Sequence, residues 1–349
     1  MKRIFLAAVA LAAGCSDALE QTSSAGQVIA VVNSTDNTAS FVLAADFSVV
    51  TVDLQMPGGA ATSAAGRAST VLVPLGPADA VAAVRTPGYC TTGLCARPVV
   101  VIPLAPGSGA TGVAIQDDSI AWVANPSHDR VTRINYVTGD TSASIIVGST
   151  PRAVAIVRGV VYVINANLSG GTPAGSSSIS WFVARGARPT QLPTIPLTGT
   201  NAEFGVVGDD SLLYVVDRGT PGAGDGKLSI VDPMAKQEIV VLNGLGESPG
   251  PAAYHPSGLL LVASATDGIL EVNALARSVT RGPGQGVKPG GHGVSGLAVD
   301  QRGRIYALDP GACAAAGTVH VLSPPPDYGE LRSVSVGTCP AAAAVATTP

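Results

Sequence analysis

The chain has 349 residues, of which 46% are hydrophobic and only 13% charged, and its formal net charge is −4. Low charge with high hydrophobicity excludes a disordered chain, and 20 scattered Lys and Arg against 24 Asp and Glu leave no basic footprint for nucleic acid. The 42 Gly and 26 Pro fit a fold of many short strands and turns.

The N-terminus reads as a targeting segment. Lys2 and Arg3 form a charged start, and residues 4–13 form an apolar stretch too short to span a bilayer as a mature helix. Residues 1–14 are therefore set aside as a signal peptide, residues 15–27 as a flexible tether, and residues 28–349 as the folded domain. Five cysteines are present, and removing Cys15 leaves four, an even number in an export context. Cys90 and Cys95 share one short loop, and Cys313 and Cys339 share the last repeat, so the expected disulfides are Cys90–Cys95 and Cys313–Cys339. Metal binding by these four is the weaker reading, because no Cys-x-x-Cys pair or neighbouring His accompanies them.

The segment Leu11-Ala12-Ala13-Gly14-Cys15 resembles the lipobox of bacterial lipoproteins. That resemblance implies that Cys15 is lipidated and becomes the first residue, and Ser16 after it implies an outer-membrane or cell-surface location in a Gram-negative envelope. Cleavage after Ala10-Leu11-Ala12, giving a soluble periplasmic or secreted protein, is the alternative.

Further along, strands recur with a common grammar. The first repeat holds residues 28–33, 39–43 and 49–54 but lacks an inner strand. The second, residues 60–103, is degenerate, with strands at 70–73, 80–84 and 98–102. The third is clearest: 111–116, an Asp-Ser turn, 120–125, 130–135 and 142–147. Residues 151–197, 202–242, 251–280 and 295–336 form the fourth to seventh. Four second strands carry a related phrase: Trp122-Val123-Ala124-Asn125, Tyr162-Val163-Ile164-Asn165, Tyr214-Val215-Val216-Asp217 and Tyr306-Ala307-Leu308-Asp309. All-strand self-similarity at roughly 40–50 residues marks a β-propeller. The run Gly337-Thr338-Cys339-Pro340 parallels Gly148-Ser149-Thr150-Pro151, so residues 341–345 should complete the N-terminal blade, giving seven blades and removing exposed edges.

The Tyr-Val-x-Asn phrases, preceded by Pro-x-x-Val-Ala strands, resemble the YVTN family of propeller proteins, with looser similarity to streptogramin-lyase and gluconolactonase-type propellers. The resemblance implies an exported propeller and specifies blades rather than a reaction.

In a four-stranded blade, the loops from outer to inner strand and from second to third strand open on one face. The long segments 166–177, 218–226, 282–293 and 310–317 all fall there, whereas 86–97 falls on the other face. Binding-face candidates are His128, Asn165, Asp217, Arg218, His292 and Asp309. Glu203, Asp217 and Asn165 are weak candidates for a metal, Ca²⁺ by resemblance to lactonase-type propellers. The competing reading has Asn and Asp at strand ends bonding the next turn. His255 and His320 read as structural, neither His128 nor His292 has the Glu-x-His that lyase relatives need, and no catalytic residue is assigned. The segment Gly282-Pro283-Gly284-Gln285-Gly286 lacks a following helix and is no phosphate loop. The expectation is a monomeric, lipid-anchored binding or scaffold protein without a cofactor, whose partner is an envelope protein or polymer. The alternative is a lactonase- or lyase-like hydrolase with a divalent ion in its channel.

Overall fold

The computed structural model describes residues 26–56, 60–88, 99–185 and 192–348. The lipidation candidate Cys15 and the Cys90–Cys95 pair lie outside them. Seven four-stranded antiparallel sheets follow one another around a ring. The fold is a seven-bladed β-propeller.

The first blade runs outward from Pro340–Thr347 through Gln27–Asn33 and Thr38–Leu43 to Val49–Asp53. The chain's last strand therefore supplies the inner strand that the first repeat lacks, pairing antiparallel from Gln27 with Thr347 to Asn33 with Pro340. The other blades are each built in sequence order, such as Val113–Ile115, Ile120–Asn125, Arg130–Asn135 and Asp140–Ile146 in the third. The second blade opens on a strand of only three residues, Ala65–Arg67.

The core is a ring of seven buried clusters, each shared by two neighbouring blades. Second strands are covered on both faces, so Ile120–Asn125, Leu213–Asp217 and Ile305–Asp309 are buried throughout. This double coverage is why they read as continuous apolar runs, whereas outer strands such as Asp140–Ile146 alternate with solvent. The aromatic that opens each repeated phrase fills the cleft between blades: Trp122, Tyr162, Tyr214 and Tyr306 are the largest fully buried side chains. Each such burial contributes about 1.5–3 kcal/mol, and each polar tip finds a partner. Trp122 Nε1 donates to Gln116 Oε1 at 2.9 Å, Tyr162 Oη to the Pro233 carbonyl at 2.8 Å, Tyr214 Oη to Asp210 at 2.6 Å and Tyr306 Oη to Asp300 at 3.1 Å.

A disulfide joins Cys313, in the loop after the second strand of the seventh blade, to Cys339, just before the closing strand. It fastens the seam where the ring shuts.

Candidate functional site

The strand-end amides and carboxylates are part of the blade frame. Asn33, Asn125, Asn165 and Asp217 end second strands and are buried. Each turns one polar atom, Nδ2 or Oδ2, to the third strand of the same blade. Asn33 Nδ2 donates to Ser40 Oγ at 3.0 Å, Asn125 Nδ2 to Thr132 Oγ1 at 2.7 Å and Asn165 Nδ2 to Ser180 Oγ at 3.1 Å, while Ser229 Oγ donates to Asp217 Oδ2 at 2.6 Å. A glycine from the preceding connection lies against three of them. A Cβ on Gly337, Gly148 or Gly199 would stand 2.6, 2.7 or 2.1 Å from Asn33, Asn165 or Asp217. The same connections accept two backbone hydrogen bonds each, as where Ala166 and Asn167 donate to the carbonyls of Thr150 and Ser149. Asn165 and Asp217, both 0% exposed, thus face their own blades rather than an open surface. Burial pushes the Asp217 carboxyl up to about 7, against the lowering effect of the Ser229 hydrogen bond.

The four long segments open on one face, as do the cavities. Inner strands of all seven blades enclose an axial cavity of about 150 Å³. Its lining is mostly small and apolar, including Gly112, Ala153, Gly205, Ala252 and Ala343, and its charged members are Arg152 and Glu203. A cavity of about 460 Å³ continues it outward past Asp79, Gly107 and Ser127, and one of about 340 Å³ lies beside it against Thr150, Leu168 and Gly171. Arg152 lines all three. Arg218 is on the same rim and donates to Glu203 Oε2 at 2.7 Å.

A second polar centre occupies the seventh blade. His292 Nδ1 meets Asp309 Oδ2 at 2.7 Å, His320 Nε2 stands 3.7 Å from the same oxygen, and His320 Nδ1 meets Glu330 Oε1 at 3.1 Å. Burial alone would raise the Asp309 carboxyl, but the His292 hydrogen bond and the Gly311 N–H hold it below the usual carboxylate range. His292 and Asp309 border a cavity of about 480 Å³ with Ala265, Gly293 and Pro310. His128 is exposed on the turn Pro126–His128 of the third blade and belongs to a different part of the ring. His255 is held inside the sixth blade, bonded to Ser257 and to the Gly303 carbonyl.

The three metal candidates take partners one by one, Glu203 with Arg218, Asp217 with Ser229 and Asn165 with Ser180, and the binding-face candidate His292 pairs with Asp309. Among the described residues no group of three or more His, Cys, Asp or Glu is arranged to hold a metal ion.

Sequence reasoning passed over Arg152, which it read only as part of an Ala- and Val-rich strand. The available signal was the charge itself, one long cation in Pro151–Val157 where every other residue is apolar. Its strand shifts register between Pro151 and Ala153, so Arg152 is the extra residue of a β-bulge. Glu203 has the same position in the fifth blade, between Ala202 and Phe204, and Ala341 in the first, between Pro340 and Ala342. Bulges re-aim side chains at barrel and sheet rims, and here they bring two charges to the channel mouth.

No family description matches the chain, and no curated protein does. Solved structures do. A functionally unknown protein from Desulfotomaculum acetoxidans is 13% identical with a TM-score of 0.65, covering 92% of this chain and 99% of its own. A streptogramin B lyase is 12% identical with a TM-score of 0.61, over 81% of this chain and 90% of that one. Virginiamycin B lyase from Staphylococcus aureus is 14% identical with a TM-score of 0.60, over 82% and 92%. Likeness at this identity shows the fold, a seven-bladed propeller, and leaves the chemistry to the residues of this chain.

Proposed function

We propose that this chain is a lipid-anchored envelope protein of YVTN type that binds a partner through its loop-rich face. One observation carries the reading. Gln27–Asn33 runs toward the loop-rich face, where Ser34 bonds the Cys339 carbonyl, so Gly26 lies at the opposite face beside Thr348. A chain anchored at Cys15 would leave the propeller from the face opposite these cavities. The cavities and long loops would then look away from the membrane, toward a partner. The lipobox-like Leu11-Ala12-Ala13-Gly14-Cys15 supports the anchor, and several acyl chains on one residue would hold it firmly, each buried methylene contributing about 0.8 kcal/mol.

The test is Cys15→Ser in the full chain, expressed in a Gram-negative host. Lipid labelling should vanish and the protein should leave the membrane fraction with its thermal unfolding unchanged. Retention in membranes after the substitution would overturn the anchor. For the binding role, metal-dependent turnover of lactones or cyclic depsipeptides by the purified protein would overturn a non-catalytic reading in favour of a hydrolase.

A further inference from the structure

The structure assigns a carboxylate-binding site to the axial mouth of the loop-rich face, with Arg152 as its charged anchor. This rests on the reading of that face as the binding face and adds the chemical class of what it takes.

Three cavities meet at Arg152. Its Nε is buried and has no hydrogen-bond partner, and among the described residues the guanidinium makes no ion pair. A buried donor left unmet is unfavourable, so such groups mark a strain or a missing partner. The neighbouring carboxylates are already engaged. Glu203 is held by Arg218 at 2.7 Å, and Asp79 accepts from the backbone N–H groups of Gly107 and Gly109 at 2.6 and 3.0 Å. The β-bulge turns Arg152 into the mouth instead of along the sheet.

The chemistry of a matching ligand follows from these neighbours. A planar guanidinium fork matches a planar pair of oxygens, as a carboxylate or a phosphate presents. Among the described residues Arg152 is the one cation lining the axial cavity, and Glu203 and Asp79 stand close by. With Arg218 neutralised by Glu203 and Asp79 offsetting Arg152, a dianionic phosphate would find no excess positive charge there, whereas a monoanionic carboxylate needs only the one fork. Beneath Arg152 the channel is lined by Gly112, Ala153, Ala252 and Ala343, which admit a narrow apolar chain. A small aliphatic acid and the C-terminus of a peptide share this chemistry.

The experiment is titration calorimetry on the mature protein with four probes: propionate, trialanine with a free C-terminus, trialanine amide and inorganic phosphate. Arg152→Gln and Arg152→Lys are run beside the wild type, each checked for unchanged thermal unfolding. Propionate or free trialanine should bind more weakly as salt rises, and Arg152→Gln should lose at least tenfold in affinity, with Arg152→Lys between. Binding of trialanine but not its amide or propionate assigns a peptide C-terminus, and equal binding of propionate assigns a small acid. Equal affinity in Arg152→Gln, no binding of either carboxylate, or preference for phosphate would overturn the assignment. Should Arg152→Gln lose the probes while the intact protein still engages envelope material, the site stands apart from the partner surface. Should the probes fail while that engagement persists, the carboxylate assignment falls and the binding-face reading survives.

Discussion

Replacing Asp217 by Asn should stabilise the protein increasingly as pH rises. The carboxyl is fully buried between Ser229 and Gly199, and burial lifts its pKa to about 7 from an ordinary 3.8. In the unfolded chain it ionises near the ordinary value. Between 3.8 and 7 the folded state therefore holds a proton that the unfolded state has released. Stability is complete below the lower value and declines toward the upper one at about 1.4 kcal/mol per pH unit. The whole window is worth about 4 kcal/mol. Asn removes the titration, and it is the residue at the matching positions Asn33 and Asn165, where Nδ2 donates to a Ser hydroxyl. For a chain this long, roughly 2 °C in Tm accompanies each kcal/mol. Thermal melts of both proteins from pH 4 to 8 should start nearly together and diverge by on the order of 6–8 °C. Taking the difference between the two cancels the other titrating groups. A difference that stays flat with pH, or an Asn variant less stable at pH 8, would refute the reasoning.

Two further outcomes are expected. Gly148→Ala forces a Cβ to 2.7 Å from the buried Asn165 amide, so urea unfolding should show a loss of about 1–3 kcal/mol, which Asn165→Ala in the same chain should partly relieve. Cys313→Ala with Cys339→Ala opens the ring's seam; for a sequence separation of 26, chain entropy gives a loss of about 3.5 kcal/mol, read as a lowered urea midpoint, and no change would mean the seam is held by strand pairing alone.

What could be read from the sequence depended on how often a physical constraint recurs. The second strands are buried on both faces in blade after blade, so their apolar runs and terminal Asn or Asp stood out. The closing strand was legible because Gly337-Thr338-Cys339-Pro340 obeys the constraint that Gly148 obeys, room for a buried amide. The inner strand of the second blade was not. Ala65–Arg67 is only three residues long, and its placement comes from contact with a distant segment, since a Cβ on Gly66 would stand 2.0 Å from the Val345 carbonyl. No local pattern records that. The site suffered similarly: Asn165 and Asp217 drew notice because they repeat, and repetition is what a frame requires.

That distinction says where activity in a propeller should be sought. A feature present in most blades serves the interface that every blade must make, and it cannot single out one ligand on a sevenfold ring. Recognition needs departures from the repeat. At the inner-strand bulge, Ala341 is the frame's version, closing the first blade without a charge, while Arg152 and Glu203 break the pattern in two adjacent blades. The His292–Asp309–His320 contact is a second departure, confined to the seventh blade. Of the two, the bulge pair has the stronger claim. His292 and Asp309 satisfy each other at 2.7 Å, and His320 Nε2, though it has no hydrogen bond, stands 3.7 Å from the same carboxylate, whereas Arg152 has its carboxylate neighbours occupied and its own Nε unmet. An unsatisfied cation at the one point on the ring where all seven blades converge breaks the symmetry in a way that a stable frame alone does not explain.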